Sequence, residues 1–116
     1  MVKMTKVGEH ITLDIIGTTK EYDPLVFEKV INEIAKAAKV TILNISKYKF
    51  EPQGFTILAL LAESHISIHT WPENGMAVCD VFTCGDHTDP SSGVEYMRQM
   101  LHATDIVSNE FVRPLE

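Results

Sequence analysis

Residues 63–73, ESHISIHTWPE, combine two glutamates, two serines, two histidines and a tryptophan with spaced isoleucines. A strand that only lined a core would not need so many reactive side chains. Histidine can act as an acid or a base near neutral pH, so Ser64 with His65 and His69 would allow a hydroxyl to attack a carbonyl. Cys84 adds a second potential nucleophile or proton donor.

A serine hydrolase is one interpretation of these residues, but the G-x-S-x-G turn is absent and no third member of a triad is marked. Side chains alternate between the two faces of a strand, so Ser64 and His69, five positions apart, point to opposite faces of a regular strand. They share a face only if Ser64 lies in a turn or bulge before the strand. A serine in bent backbone is also placed to attack its own peptide bond.

The two cysteines predict different environments. Cys79 and Cys84 differ in parity, so Cys79 is expected to face the other way and serve as packing. C-x4-C with scattered histidines is not a zinc pattern, and no metal site is expected. The start of the chain has no continuous apolar segment typical of a signal peptide. We therefore expect free thiols in a reducing cytoplasm.

Length and composition limit the class of protein. The chain has 116 residues, 45% of them hydrophobic, which predicts a single folded domain. A domain of this size leaves much surface uncovered, so a dimer interface would supplement its core. The net charge of −6 disfavours a nucleic-acid or membrane partner and suits a cationic small molecule. No segment is long and apolar enough to span a membrane.

Hydrophobic periodicity predicts six strands and two helices. Asp23 and Pro24 are a typical start for the first helix, and Asp89 or Ser91 for the second. The continuous apolar run of 54–62 predicts a central strand with two buried faces. The strands are expected at 9–16, 40–50, 54–62, 65–71, 76–84 and 105–112, and the helices at 24–39 and 93–103. This β-α-β-β-β-β-α-β order predicts an α+β two-layer sandwich, with both helices on one face of a mostly antiparallel sheet.

ESHISIHTWPE is followed at 80–90 by DVFTCGDHTDP. Together the two segments resemble bacterial and archaeal S-adenosylmethionine decarboxylases, whose proenzymes cut themselves between a glutamate and a serine. The resemblance extends from about Gly8 to Pro90, because GEHITLD is similar to the opening strand of the family and FEPQG to one of its turns.

Decarboxylation of an amino acid needs an electron sink that no ordinary side chain supplies. The family makes a pyruvoyl group from its own chain. The resemblance implies that the Ser64 hydroxyl attacks the Glu63 carbonyl and that β-elimination then splits the single domain into residues 1–63 and 64–116. The substrate amine would form a Schiff base with the pyruvoyl group derived from Ser64, which is the expected cofactor.

The resemblance also implies roles for single residues. His69 would be the base of the elimination step, and Cys84 the acid that returns a proton to the substrate. Thr56 stands where the family has a serine that supports processing, and it keeps the hydroxyl.

Three further positions resemble the substrate site of the family. Phe50 and Trp71 correspond to an aromatic pair around adenine, and Glu73 to the carboxylate that binds ribose. In the family these residues reach across a dimer interface, so a homodimer with shared active sites is expected.

The expected function is decarboxylation of S-adenosylmethionine, which supplies an aminopropyl donor for spermidine synthesis. Two alternatives remain at this point: a pyruvoyl enzyme that acts on arginine or ornithine, and an unprocessed homologue that serves as a binding or regulatory subunit.

Overall fold

The structure is a computed structural model that describes residues 6–17, 24–62, 64–84, 89–101 and 104–114. It contains two helices, six strands and one short 3-10 helix. Their bounds are β1 Lys6–Ile16, α1 Pro24–Ala38, β2 Ile42–Lys49, β3 Phe55–Leu61, β4 His65–Trp71, the 3-10 helix Pro72–Asn74, β5 Met76–Cys84, α2 Pro90–Leu101 and β6 Asp105–Pro114.

The strands form one sheet in the order β2-β3-β4-β5-β1-β6. Every neighbouring pair is antiparallel, and both helices pack on the same side of the sheet, where the core lies. The predicted α+β two-layer sandwich is therefore confirmed. No helix in the described part of the chain is long and apolar enough to cross a membrane.

The strand boundaries agree with the sequence prediction to within a few residues. β4 and β5 match it at both ends, while β1 begins at Lys6 and β6 ends at Pro114. A 3-10 helix links β4 to β5 and ends at Gly75 with φ at 59°, a left-handed conformation that glycine adopts without steric cost. This tight link keeps β4 and β5 in register along their length.

The second helix begins earlier than predicted. It starts at Pro90 rather than residue 93, and Asp89 precedes it as the N-terminal cap. The Ser92 amide donates a hydrogen bond of 3.2 Å to Asp89 Oδ1, which satisfies a backbone donor of the first turn. The predicted cap of the first helix, Asp23, lies outside the described residues.

The prediction that β3 is buried on both faces is wrong. Phe55, Ile57, Ala59 and Leu61 face the helices and are buried. The alternating side chains are not covered, and Leu58 and Leu60 are 49% and 55% exposed. The apolar run concealed this asymmetry because leucine occupies the uncovered positions as well as the core.

We call the sheet surface opposite the helices the open face. Register pairs identify its members, because paired residues on antiparallel strands point to the same side. Its central positions are Asn44, Leu60, His65, Phe82, His10 and Phe111 in one row across the sheet, Ser46, Leu58, Ser67, Asp80, Thr12 and Asn109 in the next, and Tyr48, Thr56, His69, Val78, Asp14 and Val107 in the third.

Candidate active site

The serine and cysteine singled out from the sequence are in contact. Ser64 lies just before β4, and its Oγ is 3.0 Å from the Sγ of Cys84 at the end of β5. Either atom could donate this hydrogen bond. Ser64 lies outside the regular strand, as its parity required, and its hydroxyl meets Cys84 at the edge of the open face.

The backbone around Ser64 is fixed on both sides. The Leu61 amide donates a hydrogen bond of 2.9 Å to the Ser64 carbonyl, and the Ala62 amide donates one of 2.9 Å to the Thr41 carbonyl. Glu63, the other predicted cleavage residue, lies outside the described residues. The chain therefore enters β4 through a turn whose two described ends are held by hydrogen bonds.

Thr56 and His69 form a second pair. They are register partners on β3 and β4, and Thr56 Oγ1 lies 3.0 Å from His69 Nδ1. A hydrogen bond at Nδ1 fixes the orientation of an imidazole ring and leaves Nε2 for another partner. Thr56 is therefore placed to orient His69.

The three predicted substrate-binding residues line one cavity beside this pair. Its volume is about 340 Å³, and its walls are Phe50, Gln53, Phe55, Thr56, His69, Thr70, Trp71 and Glu73. Phe50 and Trp71 are 48% and 46% exposed, so both aromatic faces have uncovered area for a ligand. Gln53, which the sequence did not single out, donates a hydrogen bond of 3.0 Å to Glu73 Oε2.

These residues fall into two separate groups. We call Ser64 and Cys84 the cleavage half-site, and the second pair with its cavity the binding half-site. Ser64 and His69 are five positions apart along the chain that enters β4, which corresponds to about 16 Å at the usual rise of a strand. One chain therefore does not bring its own His69 to its own Ser64.

A cluster of four polar residues lies between the half-sites and was missed by the sequence analysis. Asp80 Oδ2 is 2.7 Å from His10 Nε2 and 2.9 Å from His65 Nε2, and Ser67 Oγ donates to Asp80 Oδ1. We call these four residues the Asp80 network. Because they come from three strands, no local motif could have revealed it.

Hydrogen bonds keep Asp80 ionised. Burial raises the pKa of its carboxyl group, but the hydrogen bonds from Ser67, His65 and His10 lower it, and the net pKa lies below the usual value of 3.8. The prediction for Cys79 is also confirmed. It is 2% exposed on the helix side, and burial raises the pKa of its thiol, so it is an inert packing residue.

Comparison with known proteins identifies the family of this chain. A family model described as S-adenosylmethionine decarboxylase matches residues 9–114. An S-adenosylmethionine decarboxylase proenzyme of Synechococcus sp. (strain WH7803) is 48% identical over 92% of this chain and 85% of its own length. One from Methanococcus vannielii is 45% identical over 84% of this chain and 82% of its own length.

A solved structure gives the same result for the fold. The crystal structure of the adenosylmethionine decarboxylase from Aquifex aeolicus matches with a TM-score of 0.88 and 34% sequence identity, covering 97% of this chain and 94% of the other. The match to the family model and the matches to the relatives each cover most of this chain. This chain belongs to the S-adenosylmethionine decarboxylase family.

Proposed function

We propose that this protein is an S-adenosylmethionine decarboxylase that cuts itself between Glu63 and Ser64 and uses the resulting pyruvoyl group. The observation that carries this proposal is the contact of the Ser64 hydroxyl with the Cys84 thiol, at 3.0 Å, in a turn held by hydrogen bonds. Membership of the family supports both the substrate and the reaction.

The surroundings of Ser64 fit a pyruvoyl group. The Leu61 amide already donates to the Ser64 carbonyl, which would become the amide carbonyl beside the ketone, and Cys84 supplies a proton donor at contact distance. Once formed, the group would supply an electrophilic ketone that accepts the substrate amine and withdraws electrons as CO2 leaves.

Self-cleavage can be written with the side chains present. The Ser64 hydroxyl attacks the Glu63 carbonyl, the peptide C–N bond breaks, and an ester joins residue 63 to Ser64 Oγ. His69 then removes the α-proton of residue 64, the Cβ–Oγ bond breaks, and residue 63 leaves with a new C-terminal α-carboxylate while residue 64 becomes dehydroalanine. Addition of water and loss of ammonia produce the pyruvoyl end of the fragment 64–116.

A homodimer would reunite the two half-sites. Two open faces can pack together about a two-fold axis that passes at the level of Ser67, perpendicular to the strands. The strands of the two protomers then run in opposite directions. In this arrangement, the cleavage half-site of each protomer lies over the binding half-site of the other. An isologous interface makes this exchange twice. In this dimer, His69 of the partner subunit would serve each Ser64.

The surface of the open face supports such packing. Uncovered apolar side chains on several strands of one face are typical of an interaction surface. They include Leu58, Leu60, Val107 and Phe111, which are about half exposed. Face-to-face association would bury these side chains and enclose both half-sites.

The binding half-site fits an adenosyl group. An adenine ring offers a flat surface for Phe50 and Trp71, and a ribose diol can donate to Glu73, whose position Gln53 supports. The positive sulfonium is favourable near aromatic faces and in a chain of net charge −6.

Self-cleavage is tested by intact mass. Purified protein is expected to consist of fragments 1–63 and 64–116, with the second resistant to Edman sequencing, and Ser64→Ala is expected to remain one chain. CO2 release is then measured with S-adenosylmethionine, arginine and ornithine. A wild type that stays full length on long incubation contradicts self-cleavage, and release from arginine or ornithine alone contradicts the adenosyl substrate.

Changes at Trp71 and Glu73, which line the cavity, should affect substrate binding without stopping self-cleavage. Trp71→Ala removes an aromatic face worth roughly 0.5–1.5 kcal/mol beyond burial, and Glu73→Gln weakens a charge-assisted hydrogen bond worth roughly 1.5–3 kcal/mol. Each is expected to raise KM for S-adenosylmethionine at least several-fold, as measured by steady-state CO2 release. Val26→Ala on the exposed side of α1 serves as the control, and unchanged KM in both site variants would contradict the assignment.

A further inference from the structure

The Asp80 network ties three strands of the open face together through one carboxylate. His10 on β1 and His65 on β4 both contact Oδ2, at 2.7 and 2.9 Å, while Ser67 on β4 donates to Oδ1. Phe82 lies beside both imidazoles, with ring centroids 5.4 Å from His10 and 5.9 Å from His65. The His65 ring is therefore held by a charged hydrogen bond and by aromatic packing.

His65 is also the residue bonded to Ser64. The peptide that joins them has its carbonyl, that of Ser64, hydrogen-bonded to the Leu61 amide at 2.9 Å. The nitrogen of the same peptide is bonded to the Cα atom of His65, whose side chain is hydrogen-bonded to Asp80. Two independent contacts thus fix the orientation of this peptide plane.

We propose that Asp80 is a positioning residue for self-cleavage, acting through His65 to hold the Ser64–His65 peptide so that the Ser64 hydroxyl is directed at the preceding carbonyl. This proposal rests on the proposed function. Attack of a hydroxyl on a neighbouring carbonyl depends on near-attack geometry, and small displacements cost large factors in rate. Asp80 does not itself exchange a proton with the reacting atoms.

A direct acid–base role of His65 is less consistent with the geometry. Its Nε2 is engaged by Asp80, and the Ser64 hydroxyl is in contact with Cys84 instead. A positioning role requires only a hydrogen-bond donor at that place on residue 65. This difference can be tested, because glutamine supplies such a donor but does not titrate.

The alternative role for these side chains is to bind a metal ion. The ligating atoms of His10, His65 and Asp80 lie within 4.8 Å of one another, and two imidazoles with one carboxylate can bind transition metals. In the structure, however, the carboxylate already accepts three hydrogen bonds. We therefore assign the cluster to hydrogen bonding and make metal binding an outcome of the experiment.

The test follows cleavage of freshly purified or refolded proenzyme by intact mass over time. Asp80→Asn and His65→Leu are expected to slow cleavage about ten- to a hundredfold, as for loss of a charged hydrogen bond, while His65→Gln stays close to wild type. Brief treatment with neutral hydroxylamine, which cuts the ester at residue 63 but leaves peptide bonds, including Asn74–Gly75, intact under these conditions, identifies the step. Asp80→Asn should hold little ester, whereas His69→Ala, blocked at the later step, should accumulate it.

Glu95→Gln is the control, because Glu95 is an exposed carboxylate on α2, on the side of the sheet away from the open face. It should cleave at the wild-type rate, and thermal unfolding of each variant should confirm a folded protein. If Asp80→Asn fails to fold, the contrast between His65→Leu and His65→Gln decides the matter alone.

Equal cleavage of wild type, Asp80→Asn and His65→Leu would overturn the proposal and leave the proposed function intact. Slow cleavage of His65→Gln as well would assign His65 an acid–base role and also overturn it. Cleavage that stops in EDTA and returns with one Zn²⁺ per chain would make the cluster a metal site instead. A wild type that never cleaves would contradict both this proposal and the proposed function.

Discussion

Two variants that cannot cleave themselves, Ser64→Ala and His69→Ala, are expected to restore cleavage when they are combined. The first lacks the proposed nucleophile and the second lacks the proposed base of the elimination step. Because about 16 Å of strand separates the two positions within one chain, His69 is expected to act on Ser64 of the partner subunit. A hybrid dimer therefore has one complete cleavage site.

The size of this effect follows from random assortment. With equal expression of both variants, about half of the His69→Ala chains form hybrids with Ser64→Ala in a two-fold dimer, and these should appear as fragments 1–63 and 64–116 by mass. Separate affinity tags isolate the hybrids for CO2-release measurements. The control partner, Ser64→Ala/His69→Ala, should give no cleavage. Efficient cleavage of His69→Ala alone would show that His69 is not the base.

The fold was largely predictable because its local signals agree with its tertiary structure. Alternation marks β4 and β5, and Pro24 marks the start of α1. The error at β3 has a clear cause. Leu58 and Leu60 are apolar but face away from the helices, so the sequence pattern of a fully buried strand and of a strand with an uncovered apolar face is the same.

The sequence singled out residues that the structure places in the two half-sites, but it did not predict their arrangement. The motif around Ser64 and His69 predicted a chemistry through its resemblance to a family, and parity separated Cys84 from Cys79. The separation of Ser64 from His69 follows from their spacing along β4, but the contacts of Ser64 with Cys84 and of Thr56 with His69 depend on how neighbouring strands pair, and that register is a property of the sheet. The Asp80 network has the same origin, since diagonal neighbours on three strands carry no fixed spacing in the sequence.

Replacement of Cys84 by alanine is expected to give an enzyme that releases CO2 but loses activity within a few turnovers. Cys84 Sγ lies 3.0 Å from Ser64 Oγ, so it is placed to deliver a proton beside residue 64. General-acid catalysis contributes about 10²–10⁴-fold. Without it, the proton can reach the carbon of residue 64 instead of the substrate carbon, and the substrate nitrogen then stays on the enzyme while the substrate leaves as an aldehyde.

The readout distinguishes this failure from simple damage to the fold. The fragment 64–116 of Cys84→Ala should change, during turnover, from blocked to readable as alanine by Edman degradation, in proportion to CO2 released. Cys79→Ala is the matched control, because Cys79 is a buried thiol on the opposite face of the same strand and should keep a blocked end. Sustained steady-state turnover by Cys84→Ala at the wild-type rate would remove Cys84 from the reaction, since no proton donor at that position would then be required.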